Sequence, residues 1–152
     1  ITISDQTIGV IMDSVMIALL PITTDWCKQD LPHVTLVFSG LVSDHKPTDF
    51  NIMAKDASDL ALISRPFGLS VLGVEKLGPP EEPVSALMLR PTPDLMAMRN
   101  FLKQWDLSDY PEYKPHATIG PYPSGDGVPP SQLAFDRIMV AWGEQRLTFS
   151  MT

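Results

Sequence analysis

Residues 32–36 read Pro-His-Val-Thr-Leu, and residues 115–119 read Pro-His-Ala-Thr-Ile. The chain has 152 residues and three histidines, and two of the three sit in these near-identical stretches. In an extended segment, alternate side chains point to the same side. His33 and Thr35 therefore share one face while Val34 and Leu36 share the other, and His116 with Thr118 stands likewise against Ala117 and Ile119. Each copy buries an apolar pair and offers an imidazole and a hydroxyl on the opposite side. The preceding prolines remove a backbone donor and favour an extended lead-in. The third histidine, His45, has no such pattern and is expected on a solvated loop.

The flanking sequence divides around these stretches. Residues 15–20 read as a buried strand ended by Pro21, residues 22–31 as a loop, and residues 34–38 as a β-rich run closed by Ser39-Gly40. Thr48 is the expected N-cap of a helix over residues 49–64. Phe50, Met53, Ala54, Ala57, Leu60, Ala61 and Ile63 keep helical spacing there, and Pro66 marks its end. Strands are expected over 67–77 and 84–89, separated by the Gly78-Pro79-Pro80 break. Thr92 and Pro93 read as N-cap and first position of a second helix, with Leu95, Met96, Met98, Phe101, Leu102 and Trp105 as its core stripe. A loop over 106–114 leads to a strand at 117–119. A Pro- and Gly-rich loop follows at 120–130, then a last strand or hairpin over 133–151.

The order is β, β, α, β, then β, α, β, β, which is α+β with a hint of internal duplication. Neither half is long enough to stand alone. One domain over residues 1–152 is expected, with lobes at roughly 1–78 and 84–152 and elements crossing between them.

Composition narrows the function. Forty-four per cent hydrophobic and nineteen per cent charged residues belong to a globular chain, and no apolar run has the length of a membrane span. No basic leader precedes an apolar stretch, so neither export nor a membrane partner is expected. The single cysteine, Cys27, cannot form an internal disulfide, which fits a reducing, cytoplasmic compartment, and it reads as inert. The net charge of −7 weighs against a long nucleic acid, whose phosphates would need many Lys and Arg. A small nucleotide or short oligonucleotide held by a few local donors remains compatible.

If the two lobes pack as a pseudo-twofold pair, both His-Thr faces meet across one cleft. A neutral imidazole can then deprotonate a hydroxyl or water while a protonated one donates to the departing oxygen. The hydroxyls of Thr35 and Thr118 can bind the non-bridging oxygens of a phosphate. The chain has no HExxH, CxxC cluster or carboxylate array, so neither metal nor other cofactor is expected.

From about Val15 to Ser150 the sequence resembles the 2H phosphoesterase superfamily, which includes RNA 2′,5′-ligase-like proteins and cyclic nucleotide phosphodiesterases. The resemblance rests on two His-hydrophobic-Thr-hydrophobic motifs, here His33-Val34-Thr35-Leu36 and His116-Ala117-Thr118-Ile119. It implies a bilobal fold whose two antiparallel sheets line a central cleft with helices outside. It also implies metal-independent cleavage or ring opening of phosphodiesters, with His33 and His116 as the acid–base pair. Tyr113, Lys114, Tyr122 and Trp142 are candidate substrate contacts: Lys114 for a phosphate, the aromatic residues for a base.

The resemblance leaves the substrate open among a 2′,3′-cyclic phosphate, a 2′,5′-linked oligonucleotide and a cyclic oligonucleotide signal. The last two would suit an antagonist of nucleotide-based immune signalling. An RNA-processing ligase-like enzyme and a non-catalytic nucleotide-binding module of a larger protein are the alternatives.

Overall fold

The computed structural model describes residues 13–27, 31–109, 111–124 and 128–152. Parts of the loops expected at 22–31, 106–114 and 120–130 lie outside the described residues. In chain order the strands are β1 (Ser14–Pro21), β2 (Val34–Leu41), β3 (Phe67–Leu77), β4 (Val84–Leu89), β5 (His116–Pro121), β6 (Gln132–Trp142) and β7 (Gln145–Ser150). Helix α1 (Asp49–Ile63) lies between β2 and β3, and α2 (Pro93–Phe101) between β4 and β5.

All pairings are antiparallel, in the order β7-β6-β1-β2-β5-β4-β3. Two seams join the group β2-β1-β6-β7 to the group β5-β4-β3. One is the single pair Val34↔Ala117 between β2 and β5. The other runs from Phe67↔Phe135 to Ser70↔Gln132 between β3 and β6. The class is α+β, with both helices on the outside. Chain order and lobe order interleave, because the final hairpin β6–β7 joins β1 while β3 joins β4.

The core lies between the helices and one face of the strands. Val15, Ile17 and Leu19 of β1, Ile138 and Val140 of β6, and Val34, Leu36 and Ala117 of the motifs meet the helices there. Helix α1 contributes Met53, Ala57, Leu60 and Ala61, an i, i+4, i+7, i+8 stripe. Burying each large aliphatic side chain contributes roughly 1.5–3 kcal/mol. Helix α2 contributes Leu95 and Met98, continued by Leu102. Met96 and Phe101, expected in that stripe, lie off it and are exposed, as is Ile63 at the end of α1.

The two helix starts differ. Thr92 accepts from the Leu95 amide at 3.2 Å with Pro93 next, as the sequence implies. Thr48 already has helical dihedrals (φ −69, ψ −20) and makes no side-chain cap. In the turn leading into the helix, Asp49 Oδ2 accepts from the Lys46 amide at 3.1 Å. At the far end of α1, Thr152 donates from its amide to the Ser64 carbonyl at 3.0 Å and from Oγ1 to the Leu62 carbonyl at 2.8 Å. The terminal hairpin turns at Gly143, whose φ of 60 favours glycine.

His45 is not on a solvated loop. Its side chain is only 7 % exposed, with the ring centroid 5.2 Å from that of Trp142 and 6.4 Å from that of Trp105. Nδ1 lies 3.4 Å from Asp49 Oδ2 and Nε2 lies 2.6 Å from the Ser39 carbonyl. An aromatic neighbourhood assembled from two distant segments, those of Trp105 and Trp142, overrides the polar local sequence Ser43-Asp44-His45-Lys46.

Candidate active site

The pair Val34↔Ala117 joins the second residues of the two four-residue motifs. Equivalent positions facing each other across an antiparallel pair define a local twofold axis between them. Continuing that register by one residue sets His33 opposite Thr118 and Thr35 opposite His116. Val34 and Ala117 are both fully buried in the core, so the four polar side chains occupy the opposite face. The duplicated pentapeptide is thus two halves of one polar cluster astride the seam.

Each histidine is oriented in the same way. His33 Nδ1 lies 2.9 Å from the Leu31 carbonyl, and His116 Nδ1 lies 2.9 Å from the Lys114 carbonyl. Both acceptors are two residues upstream, across the motif proline. A carbonyl only accepts, so Nδ1 holds a hydrogen and Nε2 is the nitrogen left to exchange protons. Burial, aided by the nearby His116 and Arg146 charges, lowers the His33 pKa below the usual histidine value, against the opposing effect of the Leu31 bond. His33 is therefore held neutral at physiological pH.

Both motif strands are irregular at the same place. The β1 register passes from Ile17↔Val37 to Ala18↔Thr35, leaving Leu36 as an extra residue. The β4 register passes from Ser85↔Gly120 to Ala86↔Thr118, leaving Ile119 extra. Such bulges re-aim neighbouring side chains. The first moves Val37 into the core and turns Phe38, paired with Met16, onto the His-Thr face. Beside each threonine stands a buried alanine, Ala18 or Ala86, which leaves room next to the hydroxyl. Thr35 Oγ1 donates weakly to Met16 Sδ at 3.7 Å, a contact readily given up for a phosphate oxygen.

The remaining candidates are distributed differently. Tyr113 is bound into the structure: its hydroxyl donates to the Thr35 carbonyl at 2.6 Å and the Arg99 guanidinium lies 3.8 Å from its ring centroid. Arg99 in turn donates to the Leu36 carbonyl at 2.8 Å and to Asp106 at 3.1 Å. Trp142 stacks on Phe50 at 5.2 Å and packs with the main core, on the face of β6 away from the His-Thr cluster. Lys114 is exposed just ahead of β5. Tyr122 is exposed just past β5, with Lys76 Nζ 4.9 Å from its ring centroid. Cys27 points its thiol at the Thr118 carbonyl at 3.4 Å.

Two residues that sequence reasoning missed belong to the same face as the cluster. Register places Phe38, Met16, Ala141 and Arg146 in one row across β2, β1, β6 and β7. A strict alternation from His33 would have chosen Val37, and nothing local links Arg146 to residues over a hundred positions away. Among the described residues, no group of three or more His, Cys, Asp or Glu side chains is placed to hold a metal ion, and no helix is long and apolar enough to cross a membrane.

No protein-family model and no curated protein matches this sequence. Solved structures do match. Usb1 of Kluyveromyces marxianus is similar over 99% of this chain and 93% of its own, with a TM-score of 0.59 at 10% identity. TT0787 of Thermus thermophilus is similar over 91% and 95%, with a TM-score of 0.56 at 11% identity. Apo LigT of E. coli is similar over 91% and 98%, with a TM-score of 0.55 at 16% identity. The fold of the chain is that of the 2H phosphoesterases.

Proposed function

We propose that the protein is a phosphodiesterase acting on a small nucleotide substrate by two-histidine acid–base catalysis. The observation that carries this reading is the Val34↔Ala117 pair, which sets two identically oriented His-Thr pairs about one local axis. In this reading neutral His33 accepts at Nε2 the proton of the attacking water or hydroxyl. As the new P–O bond forms and the old one breaks, protonated His116 donates from Nε2 to the departing oxygen. The lowered pKa of His33 supports its role as base, and the acid role then falls to His116. Thr35 and Thr118 hold the non-bridging oxygens. Lys114 and Tyr122, exposed beside the second motif, are candidate contacts to the remainder of the substrate. The reaction needs no metal ion.

Substrate size follows from charge. A net charge of −7 suits a small nucleotide better than a polymer. Structures of LigT with 3′-AMP, NADP+ and ATP support small nucleotides as ligands of this fold. The test is incubation in EDTA with 2′,3′-cyclic mononucleotides, 2′,5′-linked oligoadenylates and cyclic di- and trinucleotides, with products read by mass. Turnover of one class, lost in His33→Ala and His116→Ala, is the expected result. Wild-type-like turnover in either variant removes the mechanism, and unchanged ligand with stoichiometric protein favours a binding module.

A further inference from the structure

The local axis through the seam relates β2 to β5, β1 to β4 and β6 to β3, but among the described residues β7 has no counterpart. The ground beyond the two motifs is therefore unequal. On the second side, cross-strand rows on the His-Thr face read His116, Met88, Gly73 and Thr118, Ala86, Glu75. Those two rows are apolar with one carboxylate. On the first side, the Thr35 row runs through Ala18 and Met139 to Thr148. The neighbouring row runs from Phe38 through Met16 and Ala141 to Arg146, and another ends in Arg137 and Ser150. That flank ends in two cations and two hydroxyls.

Arg137 is occupied, donating from Nε to Asp136 at 3.0 Å and from Nη2 to the Pro21 carbonyl at 3.2 Å. Arg146 is held differently. Its Nη1 donates to the Gly143 and Gln145 carbonyls of its own hairpin turn, and no carboxylate pairs with it among the described residues. Backbone carbonyls fix the guanidinium without neutralising it. β7 lies three strands from β2, about 14 Å at the usual spacing, and the arginine side chain covers part of that distance. Its charge is felt at His33, yet it stands to one side of the axis on which a scissile phosphate would sit.

We infer that the β7 flank is a second phosphate subsite, in which Arg146, assisted by Thr148, holds the phosphate next to the scissile one. The inference rests on the phosphodiesterase reading and narrows its substrate class to an oligonucleotide or cyclic oligonucleotide with at least two phosphates. It also fixes the direction of binding. The anionic remainder lies over β7, while an uncharged nucleoside lies over Met88 and Ala86, since Glu75 would repel a phosphate there.

The test compares a dinucleotide of the cleaved linkage with the same dinucleotide carrying a further terminal phosphate at its 5′ or 3′ end. The wild type should prefer one phosphorylated form by about tenfold in kcat/KM, as a charge-assisted contact implies. Arg146→Met should abolish that preference and Arg146→Lys should retain part of it. No preference in the wild type overturns the subsite. Equal loss on all substrates in Arg146→Met also overturns it, because Arg146 would then serve the scissile phosphate. If no dinucleotide is turned over, the phosphodiesterase reading fails by itself. The same ligands compared by equilibrium binding to wild type and Arg146→Met then decide the subsite: a preference lost in the variant supports it, and none in the wild type overturns it.

Discussion

The two halves of the candidate site are alike at the His-Thr pairs and unlike in what flanks them. Both histidines donate from Nδ1 to a carbonyl two residues upstream at 2.9 Å. Both motif strands bulge at the residue after the threonine, and both place an alanine beside that threonine. Each threonine carbonyl is even held by a side chain from the segment leading into the other motif: Tyr113 holds Thr35 and Cys27 holds Thr118. What is not duplicated among the described residues is β7, with Arg146. A symmetric pair can position a phosphate but cannot choose which oxygen leaves. Direction must come from the unpaired parts.

The hardest test of the likeness is to remove one histidine at a time. His33→Ala and His116→Ala should each lower kcat by about 10²–10⁴, the usual worth of a positioned acid or base. If the two act in a single step, the double variant loses little more than the worse single one, because the members of such a unit are strongly non-additive. Losses that multiply would mean that the halves work independently, and the single-site picture would fail. Circular dichroism of all three variants, expected to match the wild type, separates lost chemistry from lost fold.

The reciprocal braces offer a smaller effect and sharpen the difference between the halves. Tyr113 reaches the Thr35 carbonyl through a short O–H···O bond of 2.6 Å, whereas Cys27 offers the Thr118 carbonyl a thiol at 3.4 Å. A thiol is the weaker donor. Burial pushes the Tyr113 phenol above its ordinary pKa, against the opposing Arg99 charge, so the hydroxyl keeps its proton across the working pH range. Tyr113→Phe should therefore cost about 1 kcal/mol in urea denaturation, the usual net value of one such bond. Cys27→Ala, which removes the thiol donor together with its sulfur, should change stability by less. Equal costs would show that the braces are equivalent after all.

Much of this arrangement was legible in the sequence, and the rest was hidden for definite reasons. The bounds of β3 and β4 follow from runs closed by Gly and Pro, and α2 announces itself through Thr92-Pro93. The duplicated motif singles out, without any structure, the four polar residues that the β2–β5 seam brings together. Local reading failed where partners come from far away. His45 is buried by Trp105 and Trp142, which lie sixty and ninety-seven positions downstream, so its polar neighbours in sequence misled. Phe38 reached the His-Thr face through a bulge, a one-residue slip that periodicity cannot register. Arg146 joined the site through the β1–β6 and β6–β7 registers, which only tertiary pairing sets.

The smallest expected effects are in pH dependence, and they bear on the one charged feature that breaks the symmetry. The folded protein resists protonating His33, whereas the unfolded chain takes up that proton near pH 6.5. The unfolded state therefore binds more protons just below that value. The His33 contribution to stability is fully present above pH 6.5 and is lost as pH falls through the lower folded-state pKa. His33→Gln should flatten the stability profile in that acidic window and leave it unchanged above. In the proposed mechanism the same protonation removes the general base, so kcat/KM of the wild type should keep its plateau to below pH 6.5 before falling. Arg146 is one of the charges that oppose protonation of His33, after burial and His116. Arg146→Met should therefore move the acid limb of kcat/KM upward, and added salt should move the wild-type limb the same way by screening that charge. An acid limb that stays in place in Arg146→Met would mean that the guanidinium is not felt at His33, and β7 would no longer distinguish one half of the site from the other electrostatically.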